Sequence, residues 1–206
     1  MTPRIQPVSL DDADPETREL LGALSTLRGD DAEVLNVFKT MAQHPKLMKR
    51  WLVFANHVLT KSTLSGRDRE LAILRAGWRC DAPYEWGQHV AIGRREGITD
   101  DEVARIAAGP DAPGWSAHDA AILRAVDELH DHSTISDGTW ATLTETYDGQ
   151  QCMDLVLAIG QYHLVSFALN AFGVERDDGI DDPAIPFPPP ATTSPTPRGP
   201  RRPVGG

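Results

Sequence analysis

Apolar residues recur at helical spacing through most of the chain, and no segment shows the sustained apolar–polar alternation of a half-buried strand. The pattern predicts a series of helices joined by short loops. Their expected bounds are residues 15–27, 33–43, 45–61, 66–79, 83–96, 99–108, 116–132, 136–147 and 150–172. The sequence therefore predicts an all-α array of packed helices.

Helix-terminus signals are sharpest around residues 65–102. Ser65, with Asp68 three residues on, is typical of a capping box at a helix start. Pro83 suits the first turn of the following helix, where a missing N–H costs nothing, and Gly97 suits its end. Thr99 opens a second capping-box pattern. This stretch therefore predicts two helices joined by a short break, followed by a third.

The third and last helices are apolar on more than one side. Trp51, Phe54, Phe167 and Phe172 exceed what one buried stripe needs, so we expect a homo-oligomer. Gly160 lies inside the last helix, where glycine costs about 1 kcal/mol relative to alanine. We expect a close approach of another helix to be the reason for it.

The helix predicted at 116–132 has a polar side as well as an apolar one. We expect this side to be solvated, and it carries Asp119, Asp127, Glu128, Asp131, His118, His130 and His132. His130 and His132 are two residues apart, which places them on different helix faces. A metal site built on that pair is not expected.

The ends of the chain differ in composition from its middle. Prolines in residues 1–15 predict an extended lead-in, and residues 16–176 make one helical domain. Residues 177–206 are rich in proline and poor in large apolar residues, which is typical of a disordered tail.

Charge and composition narrow the classes of function. The net charge of −10 argues against a nucleic-acid or anionic-membrane partner. Two cysteines in 206 residues provide no disulfide framework. The N-terminus lacks a signal-peptide pattern, and polar residues interrupt the longest apolar stretch. We expect a cytoplasmic protein that acts on a small molecule.

Three side chains of the central pair of helices carry candidate chemistry. Glu85 and His89 are four residues apart and share a helix face, and Glu70 lies among apolar residues on the preceding helix. His89 is the best proton carrier of the three, since an ordinary histidine titrates near neutrality. On spacing alone, Glu70 could equally be a solvated first-turn acid, and Glu85 with His89 an ordinary exposed pair.

The same stretch resembles the carboxymuconolactone decarboxylase family, which includes the AhpD-type alkylhydroperoxidases. Members resemble RELxxLRxAxxxxxxYEWxxHxxxAxxxGLTxxE, and this chain has RELAILRAGWRC, YEWGQH and GITDDE within residues 69–102. The resemblance implies the AhpD-like helical fold, a trimer or hexamer, and catalysis by Glu70, Glu85 and His89.

AhpD-type members carry a Cys-x-x-Cys pair, with a histidine four residues after the second cysteine. This chain has neither cysteine of that pair at the matching positions. Aligned on His89, the two thiol positions hold Ala82 and Glu85, while Cys80 lies two residues before the first of them. A dithiol cycle needs a second, resolving thiol within reach, and Cys152 is far along the chain. The branch without the cysteine pair is the better match.

The resemblance to that branch implies cofactor-free decarboxylation, or a related proton transfer, on a small carboxylated substrate that carries a carbonyl or lactone. Tyr84, Trp86, His57 and His163 are candidate substrate-binding residues. The sequence shows no glycine-rich phosphate loop.

Three alternatives remain open at this point. The first is a thiol-dependent peroxidase, disfavoured by the missing cysteine pair. The second is a non-catalytic oligomer that binds a small acid. The third is a zinc, manganese or iron site, since Glu70, Glu85, His89 and His57 would offer two carboxylates and two imidazoles.

Overall fold

The computed structural model describes residues 2–26, 33–178 and 187. These residues form helices and connecting loops, with no strand among them. The helices are α1 (Pro15–Thr26), α2 (Asn36–Met41), α3 (Pro45–Thr60), α4 (Gly66–Arg79), α5 (Pro83–Arg95), α6 (Asp100–Ala108), α7 (Ala117–His132), α8 (Asp137–Thr144) and α9 (Gly149–Phe172). The predicted all-α class is confirmed.

The predicted helix ends hold wherever the sequence supplies a cap. The side chains of Ser65, Thr99, Ser116 and Ser136 each accept a hydrogen bond from a backbone N–H three residues on. Thr99 completes a reciprocal capping box with Glu102. Ser65 makes half of one, because the Asp68 carboxylate accepts a hydrogen bond from Tyr147 instead. Helices α2 and α8 are shorter than predicted, at 6 and 8 residues.

Helix α4 is the centre of the fold. Its residues 70–77 are all buried, because α5, α7 and α9 pack around it. The main core consists of apolar side chains from α4 to α9, and a smaller cluster around Leu21 and Met48 joins α1, α2 and α3. A helix buried on all sides needs partners for its polar groups, and α4 carries several charged residues.

Arginines of α4 meet aspartates of α7 at a constant separation of 52 residues along the chain. Arg67 pairs with Asp119, Arg79 pairs with Asp131, and Arg75 makes a bidentate ion pair with Asp127 at 2.7 and 2.8 Å. The expectation of a solvated side of α7 is therefore wrong for Asp119 and Asp127, which are partly buried, whereas Asp131 is exposed as expected. Their charges neutralise guanidinium groups of the neighbouring helix.

Arg75 also donates to the carbonyl oxygens of Ile106 and Ala107 at the end of α6. Gly109 follows with φ +110°, and a Cβ built there would stand 3.2 Å from an Arg75 nitrogen. Glycine is therefore required by both the backbone angle and the space. This contact fixes α6 to the centre of the fold.

Helix α9 spans 24 residues and is, of the helices in the described ranges, the one long and apolar enough to cross a membrane. In this fold it is a core helix, with 44% of its most apolar window buried. The reason predicted for Gly160 is wrong within the single chain. A Cβ added there would meet nothing within 4 Å, since the residue lies on the exposed side of α9.

The lead-in and the start of the tail lie against the helices. The backbone N–H groups of Arg4 and Ile5 donate to the Phe172 carbonyl, and that of Val8 donates to Lys39. Asp177 accepts hydrogen bonds from the Tyr84 hydroxyl and the Gln88 amide. Phe187 packs against Trp78 and Trp86. The rest of the predicted tail, 179–186 and 188–206, lies outside the described residues.

Candidate functional site

His89 is held between two buried carboxylates. Its Nδ1 lies 2.6 Å from Glu70 Oε2, and its Nε2 lies 3.0 Å from Glu85 Oε1. Glu70 is 0% exposed, Glu85 4% and His89 6%. The alternatives of a solvated Glu70 and an exposed Glu85–His89 pair are therefore wrong. The structure brings the three predicted catalytic residues together, and we call them the Glu-His-Glu relay.

The relay is formed where α4 and α5 approach closely. Gly77 faces Glu85, and a Cβ built on Gly77 would stand 3.6 Å from the Glu85 side chain. The one-turn spacing of Glu85 and His89 on α5 lets the carboxylate reach back to the ring. Glu70 reaches the other edge of the ring from α4, nineteen residues earlier in the chain.

Charge in the relay is nearly balanced. Burial alone would lower the pKa of His89, but the adjacent charges of Glu70 and Glu85 raise it, to about 10. His89 is therefore an imidazolium at neutral pH, and each of its N–H groups donates to one carboxylate. Arg69 supplies a second cation, since its Nε lies 3.2 Å from Glu70 Oε1. Two cations and two carboxylates thus share one buried cluster.

The two carboxylates are not held equally. Glu70 is fixed by both Arg69 and His89, whereas Glu85 is held, among the described residues, by His89 alone. Glu85 is therefore the less firmly held of the two carboxylates. Aligned on His89, this position holds a carboxylate where the AhpD-type motif has a cysteine.

Tyr162 and Arg69 belong to the site but were not predicted from the sequence. The Tyr162 ring from α9 meets the His89 ring edge-on, with centroids 4.9 Å apart. Burial, followed by the charges of Glu85 and Glu70, raises the pKa of Tyr162 far above its ordinary value, so its hydroxyl stays protonated. The spacing of Tyr162 within α9 gave no signal, because its partner lies on another helix.

The predicted substrate-binding residues lie elsewhere. His57 is exposed and pairs with Asp154 at 3.6 Å. Tyr84 donates its hydroxyl to Asp177, and burial together with that bond raises its pKa. Trp86 stacks with Trp78 at 5.1 Å. None of these three interactions involves a residue of the relay. Each side chain contacts a different neighbour instead.

His163, the fourth predicted residue, faces a different cluster. Its Nε2 lies 3.0 Å from His130 Nδ1, and Cys80 completes the group. The expectation that His130 lies on a solvated side is wrong, since it is half-buried against α9. The predicted set of two carboxylates and two imidazoles does not form either. His57 is remote from it, and the two nitrogens of His89 point to different carboxylates.

Two cavities of the described residues lie away from the relay. One of about 20 Å³, large enough for about one water molecule, is lined by Val37, Trp51, Leu169 and Phe172 among others. Another lies under the lead-in, near Pro7 and Asp12. Neither cavity is lined by a residue of the relay.

Comparison with solved structures places the fold. A peroxidase-related protein with an alkylhydroperoxidase AhpD core from Ralstonia eutropha JMP134 has a TM-score of 0.75 at 17% identity, covering 87% of this chain and 95% of that one. A peroxidase-related protein from Silicibacter sp. TM1040 has a TM-score of 0.74 at 15% identity, and the match covers 86% of this chain and 94% of that one. The debrominase Bmp8, in complex with 2,3,4-tribromopyrrole, has a TM-score of 0.70 at 12% identity, and the match covers 85% of this chain and 92% of that one.

These identities establish a shared fold and no more. No curated protein matches the chain. The model of the carboxymuconolactone decarboxylase family matches residues 45–128, a range that contains the whole Glu-His-Glu relay. The resemblance seen in the sequence is thereby confirmed. Residues 45–128 resemble the carboxymuconolactone decarboxylase family, and the chain has the AhpD-like all-α fold.

Proposed function

We propose that the chain is an enzyme that moves a proton at the carbon next to a carbonyl, without a cofactor, on a small carboxylated substrate. The observation that carries this is the buried relay, with His89 between Glu70 and Glu85 at 2.6 and 3.0 Å. Buried charged clusters cost stability unless they are well paired. A buried cluster of titratable groups with strongly perturbed pKa values, as His89 has, is a common mark of a catalytic site.

In the proposed mechanism Glu85 is the group that meets the substrate. For decarboxylation, the bond from the carbon to the carboxylate breaks, carbon dioxide leaves, and the electron pair forms an enolate. The imidazolium of His89 and the guanidinium of Arg69 lower the energy of that negative charge. A proton delivered through Glu85 to the carbon completes the reaction, and His89 is recharged from solvent. Isomerisation uses the same proton transfer without loss of carbon dioxide.

Two observations disfavour thiol chemistry. Burial is the largest cause of the raised pKa of Cys80, about 11, so its sulfur is a protonated thiol at neutral pH and a weak nucleophile. Cys152 is buried, and its pKa is raised as well. Thiol-dependent peroxidase activity is therefore the less favoured alternative, beside a non-catalytic role in binding a small acid.

The test is turnover on a panel of β-keto acids and muconolactone-type acids in heavy water, with carbon dioxide release and deuterium incorporation as the two readouts. We expect Glu70→Gln, Glu85→Gln and His89→Ala each to lower turnover by about 100-fold or more. A double variant should be little worse than the poorer single one, because the three act as a unit. Glu96→Gln is the matched control, since Glu96 touches Arg69 at 3.6 Å and is 40% exposed.

Binding of a panel acid without turnover, unchanged by these variants, would show that the relay is not catalytic. Near-normal turnover in all three single variants would place the active site elsewhere. Peroxide reduction that depends on a thiol and disappears in Cys80→Ala would establish the oxidoreductase alternative instead.

We also propose that the active form is a homo-oligomer built on α9, and that the protein is cytoplasmic. Met153, Leu157, Leu164 and Phe167 lie on one side of α9 at spacings of four, seven and three residues, and they are 64%, 48%, 51% and 59% exposed. Gly160 continues this stripe. A mid-helix glycine with nothing near it in its own chain is accounted for if a helix of a second copy approaches there.

A further inference from the structure

Cys80, His130 and His163 converge from three different helices. Cys80 is the C-terminal cap of α4, His130 is in the last turn of α7, and His163 is in the middle of α9. One potential ligand atom from each lies within 4.8 Å of the other two. All three side chains are partly buried, so the group borders the interior and keeps a route to solvent.

The orientation of His163 is fixed in the way that metal-binding histidines are fixed. Its Nδ1 lies 2.8 Å from the carbonyl oxygen of Ile159, one turn earlier. A carbonyl only accepts, so Nδ1 carries the hydrogen and Nε2 of the neutral ring keeps a lone pair. Metal-ligating histidines usually donate their other N–H to a carbonyl or carboxylate. The lone pair of His163 Nε2 points at the rest of the cluster and accepts the hydrogen bond of His130 Nδ1.

The distance between the two imidazoles is suited to a shared ion. His163 Nε2 and His130 Nδ1 are 3.0 Å apart. Nitrogen ligands about 2.0–2.1 Å from a tetrahedral zinc ion stand about 3.3 Å from each other. A movement of a few tenths of an ångström therefore converts this hydrogen-bonded pair into two ligands of one cation, with the Cys80 sulfur as the third.

The surrounding charges also permit a cation. Arg79 is the neighbouring positive group, and it is paired with Asp131 at 2.7 Å and Asp127 at 3.3 Å. The Cys80 thiol also experiences the negative charge of the Glu85 carboxylate, which belongs to the relay. Acids thus offset the arginine.

We propose that Cys80, His130 and His163 form a binding site for one divalent zinc-like cation, with a fourth position open to solvent. A thiolate with two imidazoles is a ligand set that favours zinc over magnesium or calcium. On binding, the sulfur–hydrogen bond breaks and its proton goes to solvent, while the hydrogen of His130 moves from Nδ1 to Nε2 by exchange with water. The electron pairs of the sulfur, of His130 Nδ1 and of His163 Nε2 then bond to the metal. The site lies outside the Glu-His-Glu relay, so it stands or falls independently of the proposed proton transfer.

The test uses the untagged full-length chain, stripped with a chelator and titrated with cobalt(II) as a spectroscopic substitute for zinc. We expect a thiolate-to-cobalt charge-transfer band that saturates at one equivalent per chain and is removed by zinc. Cys80→Ser should abolish the band, and His130→Asn and His163→Gln should each weaken binding by at least about tenfold. Cys152→Ala and His132→Ala are controls that should keep it, since both residues lie outside the cluster.

The absence of a charge-transfer band in the wild-type chain at saturating cobalt would overturn the proposal, as would a band that survives in Cys80→Ser. Circular dichroism of each variant separates loss of the ligand from loss of the fold. If one variant fails to fold, the other two substitutions decide the outcome, because each removes a different ligand from a different helix.

Discussion

The relay makes the stability of the fold depend on pH in a direction opposite to that of ordinary paired acids. The pKa of His89 rises from 6.5 to about 10 on folding, because burial, which lowers it, is outweighed by Glu70 and Glu85. Below about pH 6.5, folded and unfolded chains both carry the proton, and the full stabilisation is present. Between these values the folded chain binds more protons, so the free energy of unfolding falls as pH rises.

The size of this effect is set by the same values. Each pH unit inside the window changes the free energy of unfolding by at most about 1.4 kcal/mol. Between about pH 6 and pH 8, the contribution of His89 should fall by about 2 kcal/mol. Glu70→Gln removes the charge that lies 2.6 Å from Nδ1. This variant should be less stable than the wild type by about 3 kcal/mol at pH 6, and its pH dependence should be flatter.

The assay is urea unfolding followed by tryptophan fluorescence at several pH values between about 6 and 8, for wild type, Glu70→Gln and Glu96→Gln. Taking differences from the wild-type curve cancels the titration of every other group. Glu96→Gln should run parallel to wild type within about 1 kcal/mol, as a partly exposed pair does. Parallel curves for wild type and Glu70→Gln would refute the account of His89 as a buried imidazolium.

Three further predictions concern other parts of the fold. Cys80 should react slowly with thiol reagents at neutral pH and faster toward its pKa of about 11, and rapid reaction at pH 7 would contradict a protonated thiol. Leu157→Asp should leave the helicity intact but reduce the particle mass measured by light scattering, because Leu157 lies on the exposed apolar side of α9. A monomeric wild type at micromolar concentration would exclude the α9 interface. Gly109→Ala should lower the free energy of unfolding by about 1–3 kcal/mol, measured by thermal unfolding, because φ is +110° and Arg75 is close. The control Gly138→Ala should not lower it, since a Cβ there lies in open space. Equal effects of the two substitutions would contradict this prediction.

Much of the fold was predictable because its signals are local. The caps at Ser65 and Thr99 and the stop at Gly97 act within one turn, and the helices between them have the predicted bounds to within a residue. Glu85 and His89 were placed together for the same reason, since four residues make one turn. The position of Glu70 came from the family resemblance.

The features that could not be predicted depend on contacts between distant segments. Asp127 looks like a solvated acid in the sequence, and only the packing of α4 against α7 shows that it binds Arg75. His163 and His130 are thirty-three residues apart, so no periodicity connects them. Exposure of Gly160 was unpredictable for a similar reason, because a helical pattern does not say which apolar face the single chain leaves uncovered.

The burial of α4 has a consequence for how the site is reached. Residues 70–77 lie in the part of the fold with the most contacts on every side, so their amide hydrogens should exchange with solvent only when the whole chain unfolds. Glu70 is thus anchored in the slowest-exchanging segment, while Glu85 and His89 lie on α5, whose other face is partly exposed. Native-state hydrogen exchange should show a boundary between the two halves of the relay. We expect movement of α5 against a static α4 to be the motion that would admit the proposed substrate.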